Sequence, residues 1–382
     1  VHCPKGKQAL NQGAQRFEMN HHMEIKSWNH LHAGHCESGV TAALLQHIGL
    51  NLSEPMVFGL GAAFFFGHFK YLKVMGLPIT TFRTMPGSMF SKVCGSLGVP
   101  YQKLREKKPD LANTHLIQLL DSGQPVGMQV NIYWLPYVPD AMRIHFNAHN
   151  LIVIGYQRNS QGLEFKISDP VSDQLFWCSE NDLNRARFSK GGPMSPRGLY
   201  YFPGQAPSSI HLEKPILQSM RHVVWSMLFN PFSFMGIRGI FTMGARVTAW
   251  FQSESPKKAR LMLAQVIRMQ EEIGTGGAGF RYLYAAFLQE SEQHIGHSIV
   301  LKELSSQLVE AGDRWREFAL IASRICKNKD LSGAPLQDML SKIDQILKSV
   351  AIQEKIVFER LWKEVLQNNS FRFLVPQLAQ PQ

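Results

Sequence analysis

The chain has 382 residues, of which 45% are hydrophobic and 18% charged, the balance of a folded globular protein rather than a disordered or fibrous one, and its length favours two domains. A formal net charge of +11 favours acidic partners, but no zinc-finger spacing or aromatic ribonucleoprotein motif marks a nucleic-acid binder. Five cysteines, Cys3, Cys36, Cys94, Cys178 and Cys326, stand singly, which excludes a disulfide framework or zinc knuckle and fits a reducing, cytoplasmic setting.

Residues 1–20 carry lysines and glutamines without an apolar core and read as a flexible arm, not a signal peptide. The stretch His30-Leu31-His32-Ala33-Gly34-His35-Cys36-Glu37-Ser38-Gly39 then leads into apolar residues at 40, 43, 44 and 48. That spacing predicts a helix with Cys36 in or just before its first turn. Partial positive charge and unpaired N–H groups at a helix start stabilise a thiolate and hold an oxyanion. This is an address for a nucleophile; a small buried hydrophobe is the competing reading of a free cysteine.

Ser53 and Pro55 mark an N-cap and an early helical proline. Between Val57 and Gly67 small and aromatic residues crowd together, and the glycines lack the third member and the acidic ribose partner of a dinucleotide fingerprint, so close packing is expected. Leu77 to Phe82 reads as a strand, Ser91 to Leu97 as a helix, Asn113 to Ser122 as a helix stopped by Gly123, and Pro125 to Asn131 as a strand. After the turn-rich Leu135 to Pro139, His149 enters the unbroken apolar run Leu151 to Ile154, a buried strand. The strand Glu164 to Pro170 follows and ends on Asp169.

A thiol on a helix, an imidazole roughly 110 residues downstream and an acid at the end of the next strand suit a cysteine-nucleophile enzyme, in which the histidine takes the thiol proton and the acid orients the ring. His30, His32, His35 and His145 compete with His149 for that role. No spacing among them is diagnostic of a metal, and none is expected.

Glu180 to Arg187 reads as a short helix, Gly198 to Phe202 as a strand, and Pro203 to Ser209 as the linker between domains. Beyond it the chain reads as helices. Pro215 to Leu228 is broken at Asn230-Pro231. The section Val223 to Phe251 is the most hydrophobic, but Asn230, Pro231, Arg238 and Arg246 interrupt it, so it is read as core and not as a spanning helix; contact with lipid or a fatty acyl chain is the lesser alternative. Lys257 to Glu272, Ser291 to Arg324 and Leu336 to Leu366 are amphipathic. Thr275-Gly276-Gly277 opens a helix through Arg281 to Glu290. Free N–H groups and the arginine suit a phosphate or carboxylate, and a tight interhelical turn explains the same residues equally well.

The run HCESGVTAALLQHIGLNLSEPMVFGLGAAFFF from His35, HFNAHNLIVIGY from His145 and ISDP ending at Pro170 resemble the N-terminal domain of the butirosin biosynthesis protein H family, itself similar to papain-like and bacteriocin-processing cysteine peptidases. Gly274 to Tyr284 is similar to the glycine-rich motif of the helical domain that follows in those proteins. The resemblance implies an α+β protein with a papain-like cysteine domain over 21–205 and a mainly α-helical domain over 210–382. It also implies an acyltransferase of secondary-metabolite biosynthesis that moves an acyl group from the phosphopantetheine thioester of an acidic acyl carrier protein to a small amine acceptor through acyl-Cys36. His149 would be the general base and Asp169 its orienting acid. Papain-like enzymes place an oxyanion-hole glutamine six positions before the cysteine; here His30 stands there as the candidate donor. Thr275, Gly276, Gly277 and Arg281 become candidate substrate contacts. No bound cofactor, metal, nucleic acid or transmembrane segment is expected, and a homodimer is compatible with this reading. A hydrolase (peptidase, amidase or thioesterase) and a non-catalytic binding protein of the same fold are the alternatives.

Overall fold

The computed structural model describes residues 22–367 apart from 75, 141–142, 193 and 274; the expected arm, residues 1–20, lies outside them. The chain is mixed α/β, a sheet-containing N-terminal part followed by a helical one. Its first strand is β1 (His22–Glu24), followed by α1 (Cys36–His47), α2 (Glu54–Leu60) and the hairpin β2 (Phe64–Val74) and β3 (Leu77–Arg83). Then come α3 (Met89–Leu97), β4 (Tyr101–Arg105), α4 (Pro109–Asp121), β5 (Val126–Val130), β6 (His149–Asn159), β7 (Gly162–Ser168), β8 (Leu175–Ser179), α5 (Glu180–Arg187) and β9 (Leu199–Pro203).

Seven antiparallel strands form the main sheet in the order β4-β9-β5-β6-β7-β8, with β1 paired to β6. The unbroken apolar run of β6 has a simple cause: residues 149–156 are buried on both faces. Ile152 and Ile154 face α1, whereas Leu151 and Val153 join Val126, Met128, Val130, Phe165 and Ile167 in a second core under α4 and α5. Every residue of α1 from Cys36 to Leu45 is buried. A helix with no wet stripe must lie between two layers, here the sheet and the helical part.

Ser53 caps α2, its Oγ accepting the Met56 N–H at 3.1 Å, with Pro55 in the first turn as expected. Where close packing alone was expected, Phe64 begins strand β2. The hairpin passes into the helical part. Phe64 lies 4.9 Å from Tyr284 and Phe66 5.8 Å from Trp315, so one apolar core is continuous between the two parts.

The helical part comprises α6 (Glu213–Leu228), α7 (Gly236–Ser253), α8 (Pro256–Glu271), α9 (Arg281–Ile295), α10 (Ser298–Lys327) and α11 (Gly333–Arg360). The helix expected from Ser291 to Arg324 is divided: α9 stops at Ile295, and Gly296 and His297 have φ of 71° and 58° before α10 starts. Among the described residues no helix is long and apolar enough to cross a membrane.

Candidate active site

Cys36 is the first residue of α1, with His35 in extended backbone as its N-cap. Gly39 N–H is bonded to His35 O at 2.9 Å, so the N–H groups of Cys36 and Glu37 precede the first intrahelical bond and have no partner within the helix. The loop before α1 is pinned by Glu54, whose carboxylate accepts Gly34 N–H at 2.9 Å, His35 N–H at 2.8 Å and the Ser38 hydroxyl at 2.8 Å.

A buried polar chain fixes the start of this helix. Arg83, at the end of β3, donates to both His35 Nε2 and Glu37 Oε2. Guanidinium can only donate, so His35 Nε2 accepts, while Nδ1 caps α1, 3.2 Å from Ser38 N and 2.8 Å from Ser38 Oγ. Burial, helped by the positive charges of Arg83 and His149, holds the His35 imidazole well below its ordinary value, as a neutral ring. Glu37 accepts Gly87 N–H at 3.0 Å and Met89 N–H at 2.9 Å. Burial alone would raise its pKa, but Arg83 and these amides outweigh it and keep the carboxyl below its usual range.

His149 opens β6 and Asp169 follows the last residue of β7. His149 Nε2–H donates to Asp169 Oδ2 at 2.7 Å, which leaves Nδ1 as the second ring nitrogen, and Cys36 Sγ lies 4.0 Å from the carbonyl of Ala148, the residue before His149. Burial opposes the imidazolium, but the Asp169 charge, its hydrogen bond and Cys36 prevail, and the ring is pushed up to about 10. Asp169 is shifted down, because His149, the Tyr137 hydroxyl at 2.8 Å and Val171 N–H together override a burial cost of the opposite sign. Gly39 allows this closeness: a Cβ there would lie 2.6 Å from Ala33 and 2.7 Å from Pro170, so a larger residue would push the Asp169 turn off α1.

The structure thus brings together Cys36, His149 and Asp169. His30 is occupied elsewhere, with Nδ1 2.8 Å from Ser168 Oγ and Nε2 donating to Ser172 O at 2.9 Å. It braces both sides of the Asp169 turn and has no ring N–H left for an oxyanion. His32 is exposed, His145 is exposed and stacked on Tyr133 at 4.0 Å, and His35 is committed to Arg83 and Ser38.

The glycine-rich turn meets this site from the helical side. Phe280 sets its ring edge-on to His35 at 5.1 Å and stacks on Phe58 at 4.8 Å. Gly279, at φ 58°, has no room for a side chain, since a Cβ would fall 2.3 Å from the Phe82 ring. Gly276 Cα lies 3.9 Å from where a Gly34 Cβ would be, so the turn abuts the loop that leads to Cys36. Its polar groups are largely internal: Thr275 Oγ donates to Gln270 O and accepts Gly277 N–H, and Ala278 N–H goes to Glu271. Arg281 is fully buried and bidentate to Glu354 at 2.9 and 3.0 Å, with the Phe64 ring 4.6 Å from the guanidinium. Its charge is matched within the protein and not offered to an anion.

Several groups at the site carry no local sequence signal. Tyr137, from the turn-rich segment, bonds Asp169 and stacks on Phe176 at 4.2 Å. Three amide side chains tie the loop after α5 to the strand ends beside His149. Gln129 donates to Asn147 O and Met194 O, each at 2.8 Å, Asn147 to Gly191 O at 2.9 Å, and Asn131 to Ser189 at 2.9 Å. The site is closed, with Cys36 only 7% and His149 3% exposed.

Residues 35–170 match the family model described as butirosin biosynthesis protein H, N-terminal, and residues 181–361 match that of a domain of unknown function, DUF4872. No curated protein matches the chain.

Proposed function

The chain belongs to the butirosin biosynthesis protein H-like family, and from that premise we propose that it is a biosynthetic acyltransferase that works through an acyl-cysteine. The observation that carries this reading is the buried group of Cys36, His149 and Asp169: His149 lies 2.7 Å from Asp169, and the thiol lies 4.0 Å from the carbonyl of the residue before His149. Such an arrangement, a nucleophile at a helix start facing a base on an antiparallel sheet, is what a papain-like enzyme uses.

In this reading the donor is the phosphopantetheine thioester of an acyl carrier protein. Cys36 sulfur attacks the thioester carbonyl and forms a new C–S bond, while the N–H groups of Cys36 and Glu37 receive the oxyanion. Collapse breaks the original C–S bond, and the departing thiolate takes the proton from His149. A small amine then attacks the acyl-Cys36 carbonyl, His149 removes the amine proton, and the sulfur leaves as Cys36 returns to its starting state. The net change is thioester plus amine to amide plus thiol. Asp169 keeps Nδ1 of His149 facing the sulfur throughout, with Tyr137 and His30 fixing the carboxylate and its turn. The glycine-rich turn, with Gly276 against the loop before Cys36, would flank the acyl or acceptor group once it is bound.

The near-complete cover over Cys36 favours transfer over hydrolysis, because a thioester is preserved for an amine only where water is kept out. The net charge of +11 suits docking of an acidic carrier protein. Single-turnover reactions with acyl-loaded carrier protein, with and without a panel of primary amines, test the reading. It requires amide that appears only with both amine and Cys36 present. Free acid released at the same rate whether or not amine is added would make the protein a thioesterase and overturn it.

A further inference from the structure

A different face of the protein carries a ridge of aromatic side chains that packing does not explain. At the tip of the β2–β3 hairpin Lys70, Tyr71, Leu72 and Lys73 are all exposed, so both sides of the strand stand in solvent there. Tyr71 is 88% and Leu72 57% exposed. The hairpin is joined to the loop between α6 and α7: His68 N–H donates to Phe234 O at 2.9 Å, and the Phe69 and Phe234 rings are 5.6 Å apart. Phe232 stacks on Phe234 at 5.4 Å. Phe229 and, one turn earlier on α6, Trp225 follow in the chain. Trp225, Phe229 and Phe232 are 53%, 51% and 53% exposed. The ring contacts from Phe69 through Phe234 to Phe232 join the hairpin to the loop after α6, and exposed apolar side chains gathered in this way mark an interaction surface.

The charges around it have one sign. Residues 55–105 and 214–253, which supply the ridge and its surroundings, contain no Asp or Glu, while Lys70, Lys73 and Arg238 are exposed. Asp344 and Glu364 on the adjoining helical segments are each paired to a cation, Lys348 and Arg360, at 2.7 Å. A second copy of the same face would set cation against cation. A bilayer interface accepts protruding aromatic side chains at the headgroup level and rewards neighbouring lysine and arginine when the lipids are anionic.

We propose that this ridge seats the protein on an anionic lipid surface, with Tyr71, Leu72, Phe229 and Phe232 entering the headgroup region and Lys70, Lys73 and Arg238 meeting the phosphates. The inference stands on this face alone and is independent of the chemistry at Cys36. Co-sedimentation of the full chain with vesicles of phosphatidylglycerol and phosphatidylcholine, against vesicles of phosphatidylcholine alone, reads it directly. The expected result is binding to the anionic vesicles only, weakened by salt and reduced about tenfold or more by Tyr71→Ser with Phe232→Ser. Lys70→Gln with Lys73→Gln, at an exposed tip where folding is not at stake, is expected to reduce it about tenfold as well. Absence of sedimentation with anionic vesicles, or sedimentation that neither double variant lowers, overturns the proposal. So does a dimer in light scattering, or a complex with acidic carrier protein, that the same substitutions abolish in the absence of any vesicle binding.

Discussion

Replacing Asp169 with Asn tests whether the carboxylate sets the charge state of the base. The two side chains are nearly isosteric, and the amide oxygen can still accept His149 Nε2–H, so geometry is kept while charge is lost. In the wild type burial favours the neutral ring, yet His149 is pushed up to about 10 from an ordinary 6.5. Without the Asp169 charge, burial is opposed by the Cys36 side chain alone, and the His149 pKa should fall back towards 6.5. A change of that size is on the order of 5 kcal/mol in favour of the neutral form. Below pH 6.5 the wild type enjoys the full stabilisation of the charged ring, and it is lost as pH rises through about 10. The variant should lack that alkaline slope. Turnover should drop by up to about four powers of ten, the cost of neutralising the acid in a comparable triad. Titration of isotopically labelled His149 by NMR, with urea denaturation at several pH values, is the assay. A ring that still titrates near 10 in Asp169→Asn would refute the electrostatic argument.

Arg83→Met strands the Glu37 carboxylate beside the nucleophile, and loss of one partner from a buried pair costs about 3–5 kcal/mol. The deficit should shrink as pH falls, because burial favours protonated Glu37 once the cation is gone; urea midpoints at pH 7 and pH 5 check this. Gln129→Ala removes two hydrogen bonds at 2.8 Å, one to Met194 O in the loop after α5 and one to Asn147 O beside His149, at about 1 kcal/mol each or less, so iodoacetamide should alkylate Cys36 roughly tenfold faster. An unchanged rate would show that this loop does not limit access. Glu354→Gln leaves Arg281 buried without its counter-charge and should lower stability by about 3–5 kcal/mol. KM for the donor should not change in the folded fraction, since Arg281 is matched internally and makes no substrate contact; a raised KM would return Arg281 to the substrate site.

The parts of the site that were legible in the sequence sit where one periodicity gives way to another. Cys36 precedes a helical pattern, and His149 and Asp169 lie at the ends of apolar strand runs, so local spacing pointed to them, and the family resemblance then chose His149 over His30, His32, His35 and His145. Arg83, Glu54 and Tyr137 were not legible, because their partners Glu37, Gly34 and Asp169 are 46, 20 and 32 residues away. For Arg281 the local pattern fitted an anion site and a tight turn alike. Its partner Glu354, 73 residues on, decides the matter through tertiary packing. In the fold, β2 was hidden because its buried Phe64 and Phe66 face a helical layer and show no clean alternation of polar residues. Strands β4 and β8 lie at the two ends of the sheet path, where one-sided burial leaves a weak pattern. The division between α9 and α10 rests on Gly296 and His297, a break that the continuous amphipathic charge pattern on either side masked.

The central claim is that Cys36 itself carries the acyl group. Wild type and Cys36→Ala, mixed with acyl-loaded carrier protein without an amine, should be quenched in acid and measured intact and after digestion by mass spectrometry. The account predicts one acyl increment on the wild type, located on the peptide containing Cys36 and removed by hydroxylamine, and none on the variant. An increment of equal size on Cys36→Ala, or none on the wild type while product still forms, would contradict it.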